Sequence, residues 1–133
     1  MPRAGRPPSK PLLDKLGVKP GARVSVLGPQ DDGFLSQLRT RTGEVWIGPP
    51  KRGSDLIFVF VARREELDAR VAPLRGYLKP DGAIWVIRPK GTPDIKEVDV
   101  IEAGKRAGLV DNKIAGFSEG LSAMRLVIRI ALR

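Results

Sequence analysis

From Asp55 to Val61 every residue after the aspartate is apolar, so a strand through this stretch carries hydrophobic side chains on both faces. Runs of this kind belong to strands of parallel sheets, which helices cover on both sides. Arg64 to Leu78 changes period. Leu67, Val71, Leu74 and Leu78 recur at spacings of four, three and four, one apolar stripe on a helix, with Glu66 and Arg70 paired on its wet side. Pro73 is expected to kink that helix. Leu78-Lys79-Pro80-Asp81-Gly82 has the residue order of a type I turn, and Ala83 to Ile87 resumes as an apolar strand. The unit is strand, crossover helix, strand, a connection that makes the two strands parallel and the crossover right-handed.

The flanking segments extend the same plan. Pro11 to Leu16 allows one helical turn ended by Gly17, and Val24 to Leu27 reads as a first strand closing at Gly28. Asp31 or Asp32 then serves as N-cap to a helix through Leu38, with Phe34, Leu35 and Leu38 facing the sheet. Glu44 to Ile47 is a further strand. The seven residues after it, Gly48 to Ser54, cannot hold a crossover helix and span at most about 24 Å. That strand is either a short parallel edge returned by a taut loop or an antiparallel edge, with the first preferred. Asp94 and Glu97 make a capping pair, and Ile95, Val98, Ile101 and Ala107 form a stripe on a helix that Gly108 terminates. Val110 to Ser118 and Ala123 to Ala131 form an antiparallel hairpin around Glu119-Gly120, with Met124, Leu126, Ile128 and Ile130 alternating against Arg125, Val127 and Arg129. The expected architecture is a three-layer, Rossmann-like α/β fold, a mostly parallel sheet with a C-terminal antiparallel hairpin.

Composition narrows the chemistry. The 133 residues contain no cysteine and no histidine, which removes disulfides, thiolate nucleophiles, Ser-His triads and the usual zinc, copper and iron ligand sets. No stretch reaches the roughly 18 apolar residues of a membrane span, and no signal-peptide segment opens the chain, so a cytoplasmic, bacterial-type protein with no membrane partner is expected. Residues 12–133 are taken as one domain. Residues 1–11, with four prolines and three basic side chains, are taken as a disordered tail.

Lysine and arginine number 24 against 15 acidic residues, a net charge of +9 that favours anionic partners. Within the tail, Gly5-Arg6-Pro7 between Arg3 and Lys10 resembles the core of an AT-hook, whose arginine lies in the narrow minor groove of A·T-rich DNA. A solvated tail is the alternative.

Strand one ending in Gly28, a short second strand, Asp55 to Val61, a helix, the Leu78 to Gly82 turn into a strand, another helix and a closing hairpin follow the order of class I S-adenosylmethionine-dependent methyltransferases. The turn looks like the Leu-Lys-Pro-Gly-Gly turn before their fifth strand. The resemblance covers residues 17–132, with no room for one strand and at least one helix of that fold. It implies S-adenosylmethionine as cofactor. The chain departs from the pattern where Pro29 follows Gly28, where Gly48-Pro49-Pro50 stands in place of the acid that binds the ribose, and where Ala62-Arg63-Arg64 follows the Asp55 strand. Residues 16–28, 108–113 and 125–129 also resemble a family of short bacterial proteins of unknown function.

In open parallel sheets, ligands sit outside the carboxyl ends of the strands. Gly28 and the Asp31 loop, Arg63, Arg64, Arg88 and Lys90 fall there. The first reading is a non-catalytic binding or regulatory domain. It takes a phosphate, a nucleotide or a nucleic-acid backbone through Arg63, Arg88 and Lys90, with N–H groups from the Asp31 loop. In the other reading these arginines lie over the sheet end and pair with Asp31, Asp32 and Glu65. Asn112 and Lys113 are a second candidate pair without an assigned role. Trp46, Trp85 and Phe117 are expected to pack, since so few aromatics do not make a single-strand binder. No cofactor is expected on this reading. The alternatives are a divergent S-adenosylmethionine-dependent methyltransferase and a nucleic-acid-associated protein that uses its basic tail.

Overall fold

A computed structural model describes residues 11–28 and 32–133. The N-terminal tail, apart from Pro11, and Asp31, one of the two residues expected as N-cap, lie outside those described residues; the other, Asp32, is the first residue of the helix. Six strands form one sheet in the order β2-β1-β3-β4-β6-β5. Strands β1 (Val24–Leu27), β2 (Val45–Ile47), β3 (Ser54–Phe60) and β4 (Leu78–Pro89) run parallel, and β5 (Leu109–Gly116) and β6 (Leu121–Ile128) complete the sheet through antiparallel pairings of β6 with both β4 and β5.

The two-sided apolar run of β3 is the reason for the layering. Leu56 and Phe58 enter one core with Val24, Val26 and Trp85, covered by α1 (Leu12–Lys15) and α2 (Asp32–Arg41) through Leu13, Leu16, Phe34, Leu35 and Leu38. Ile57 and Val59 enter the other, covered by α3 (Leu67–Val71) and α4 (Glu97–Arg106) through Leu67, Val71, Val100 and Ala103. Trp85, fully buried, donates its indole N–H to the Leu16 carbonyl at 3.0 Å. This bond satisfies a polar group that would otherwise be costly inside the core and pins α1 to the sheet.

β2 is the short parallel edge, with Val24 opposite Val45 and Val26 opposite Ile47. Its return to β3 is held by a polar seam. Ser25 and Ser54, both buried, share a hydrogen bond at 2.8 Å; the Lys51 N–H donates to Ser25 Oγ at 2.9 Å, and Ser54 Oγ donates to the Lys51 carbonyl at 2.5 Å.

Several elements differ from the sequence expectation. The crossover keeps its stripe, with Leu67, Val71, Leu74 and Leu78 all buried and Arg70 3.8 Å from Glu66, but it is not one helix. A 3-10 turn at Arg64–Glu66 leads into α3, and Pro73, which cannot donate an N–H, falls in a second 3-10 stretch over Ala72–Tyr77. The Leu78 to Gly82 turn is drawn into β4 as an irregularity. Ser54 pairs with Leu78 and Leu56 with Ala83, so the intervening residues of β4 bulge outward. Gly82 permits this because a Cβ there would lie 2.8 Å from the Asp55 carbonyl.

Helix α4 is capped two residues later than the Asp94–Glu97 pair predicts. The Lys96 N–H donates to Asp99 Oδ2 at 2.8 Å, while the Asp94 carbonyl accepts from the Arg64 N–H at 3.0 Å. Its buried face is consequently Val100, Ala103 and Gly104, and Val98 is 54% exposed. The hairpin strands are shorter than the alternation suggests. The Phe117 and Ser118 N–H groups both donate to the Leu121 carbonyl, which closes the turn early, and Ile130 leaves the sheet in a 3-10 turn at 81% exposure.

Candidate functional site

At the carboxyl end of β1 the chain turns at Gly28, with φ of 96°, a backbone region that disfavours side chains. A Cβ there would meet the Phe60 carbonyl oxygen at 2.9 Å. The turn therefore rests directly on the end of β3, and α2 rises from just beyond it. Phe34 at the start of α2 meets Phe58 edge-on at 5.1 Å and Phe117 at 4.8 Å, and Phe60 meets Phe117 at 5.6 Å. This aromatic cluster fixes the helix against the end of β3 and the segment that follows β5. Asp31 lies outside the described residues.

Basic residues border the same edge without forming a single cluster. Arg88, at the end of β4, is half-buried and bends over its own loop, its Nη1 donating to the carbonyls of Pro89 at 3.2 Å and Ile95 at 3.5 Å. It lines an open cavity of 500 Å³ together with Thr92, Ile95, Lys96 and Glu97. Lys90 is exposed, and its backbone N–H donates to the Gly120 carbonyl at 2.9 Å, tying β4 to the hairpin turn. Arg63 is exposed ahead of α3, and Arg64 stands 3.5 Å from Glu65. Among the described residues, no ion pair engages Arg63, Arg88 or Lys90.

Asn112 and Lys113 are elsewhere. They sit midway along the outer strand β5, where Asn112 is the residue skipped between the Asp111–Leu126 and Lys113–Arg125 pairs. Lys113 Nζ donates to the Lys15 carbonyl at 3.0 Å, closing the end of α1. Sequence reasoning also missed Thr92, Lys96 and Glu97, because their role depends on how the 90–96 loop folds back over Arg88. Trp46 is 40% exposed with Lys51 Nζ 4.7 Å above its ring, so that face is already covered by a cation. No group of potential metal ligands occurs among the described residues, and none of their helices is long and apolar enough to cross a membrane.

Comparison with solved structures bears on this edge. The chain is similar to an S-adenosylmethionine-dependent methyltransferase from Aquifex aeolicus, with a TM-score of 0.66 and 16% identity over 88% of each chain. It is also similar to a putative type 11 methyltransferase from Sulfolobus solfataricus, with a TM-score of 0.63 and 14% identity over 88% of this chain and 89% of that one. The fold is that of the S-adenosylmethionine-dependent methyltransferases. An O-methyltransferase from neocarzinostatin biosynthesis, solved with S-adenosylmethionine, matches at a TM-score of 0.65 and 13% identity, with 80% of this chain covering 49% of that one. No family model and no curated protein matches the chain, so the likeness to short bacterial proteins of unknown function rests on its residues alone. Within the methyltransferase fold, Gly28 stands at the turn after the first strand and Gly48 where the second strand ends. Gly48 donates its N–H to the Val26 carbonyl at 3.0 Å and is followed by two prolines, so no carboxylate closes that strand.

Proposed function

We propose that the chain binds S-adenosylmethionine over the Gly28 turn and acts as a divergent methyltransferase on an acceptor that carries negative charge. The observation that carries this reading is the Gly28 cradle, a left-handed glycine pressed onto Phe60 at the carboxyl end of the central parallel strands. The absent side chain lets the turn lie against the end of β3, at the strand ends where ligands of open parallel sheets sit. The missing acid after β2 removes the usual hold on the ribose, so the cofactor relies on the loop and on packing, and binding is weaker than in a site with that acid. When bound, the cofactor supplies an electrophilic methyl group. The chain's own contribution is to hold the acceptor, and Arg88 and Lys96 in the lining of the 500 Å³ cavity, with Lys90 and Arg63 elsewhere at the strand ends, suit an anion. An acceptor oxygen that is already ionised needs no general base, which suits a chain without histidine or cysteine. This reading is preferred to a purely non-catalytic binding domain because it uses the cradle as well as the cations.

The test is the thermal unfolding midpoint with and without S-adenosylhomocysteine at about 1 mM. A ligand at about 100 times its dissociation constant adds about 2.7 kcal/mol, a rise of roughly 10 °C for a domain of this size. Gly28→Ala is expected to lose the rise. No shift in the unsubstituted chain overturns cofactor binding and leaves an anion-binding domain as the better account.

A further inference from the structure

A second concave site lies at the opposite edge of the sheet, by the amino ends of β1, β3 and β4. It is a groove of 330 Å³ whose lining includes Lys19, Gly21, Asp55, Asp81, Gly82 and Arg125. Asp55 is committed, since its carboxylate takes Lys79 Nζ at 2.9 Å and the Arg23 backbone N–H at 2.9 Å. Asp81 makes no ion pair among the described residues.

Arg125 is the unusual member. It projects from β6 on the side of α1, directly across the strand pair from Lys113, and like charges so opposed repel. Lys113 turns away to the Lys15 carbonyl. Arg125 is half-buried, and none of the described residues accepts a hydrogen bond from its guanidinium or pairs with its charge, although the group carries five N–H donors. Burial and then the charge of Arg133 lower its pKa, so the site disfavours its cation as it stands. A planar fork of donors in a concave, polar groove, with Lys19 beside it, matches an oxyanion in shape and charge.

We propose that this groove is a second binding site, for the phosphoryl or carboxylate group of a small ligand, with Arg125 as bidentate anchor and Lys19 as the second positive charge. Asp81 in the same lining suits a hydroxyl or ammonium group on the same molecule. The site is independent of the Gly28 edge and of any methyl transfer there.

The unfolding midpoint of the full chain, measured with inorganic phosphate and separately with acetate against chloride at matched ionic strength, tests the assignment. At ten times its dissociation constant the bound anion raises the midpoint by about 5 °C. Arg125→Leu removes the rise and Lys19→Ala reduces it. A rise with phosphate alone assigns a phosphoryl ligand, and a rise with acetate alone assigns a carboxylate. Absence of any rise overturns the proposal, as does a rise that Arg125→Leu retains in full, which would put the anion at the Arg88 edge instead. Should Arg125→Leu fail to fold, Arg125→Lys keeps the charge but not the fork, and an undiminished response in that variant overturns the assignment equally.

Discussion

At position 28 a single methyl group decides between two backbones. Gly28→Ala puts a Cβ against the Phe60 carbonyl and forces a side chain into the left-handed region, a cost of about 2 kcal/mol or more before any ligand is considered. The variant is expected to unfold at a lower temperature even in plain buffer, so its loss of cofactor response has to be read as a difference between liganded and unliganded midpoints. Asp55 acts through charge. Burial would raise its carboxyl, but the Arg23 N–H and the Lys79 ammonium outweigh burial and hold it below 3.8. With the folded value depressed, the stabilisation is fully present above pH 3.8 and is lost as pH falls through the lower folded value. Asp55→Asn is therefore expected to lower stability at pH 7 and to flatten the acid limb of stability against pH below about 4. Gly28 was legible in the sequence because a strand that ends in glycine announces a turn. Arg125 was not, because alternation along β6 gives the face of the sheet but not what that face meets.

At the scale of elements, the period of the apolar residues located every strand and helix but misjudged their ends and one face. Spacing of three from Ile95 through Val98 to Ile101 drifts around a helix of 3.6 residues per turn, and the stripe that packs begins at Val100 once Asp99 has set the start. Val98→Lys is accordingly expected to leave the unfolding midpoint within about 0.5 kcal/mol of the parent, while Val100→Ala costs about 2 kcal/mol, a contrast that denaturant titration of the two variants resolves. Pro73 was read correctly as a disturbance, but its effect is to tighten the chain into a 3-10 stretch through Tyr77 rather than to bend a continuous helix. The direction of β2 was open from residues alone, since three residues carry little pattern. The return from β2 is held by Ser25, Ser54 and the Lys51 backbone, a polar seam that pattern does not reveal because its partners meet only once the sheet has formed.

For the whole molecule, the two-sided hydrophobic run of β3 with the crossover after it was enough to imply a parallel sheet covered on both faces, and the closing hairpin was visible as alternation. The candidate site was legible only as an edge. That Arg63, Arg88 and Lys90 fall at strand ends follows from topology, whereas the cavity over Arg88 and the groove beneath Arg125 depend on loop geometry that no local pattern encodes. The strand order also bears on how the protein is made. β6 follows β5 in the chain yet lies inside it, between β5 and β4, so β5 has no neighbour in the sheet until residues 121–128 arrive. During synthesis at roughly 5 to 20 residues per second, the parallel half can assemble while Met124 and Leu126 are still absent from the core. Until they come, the open edge of β4 and the unpaired β5 are the surfaces that a chaperone on the ribosome would have reason to hold.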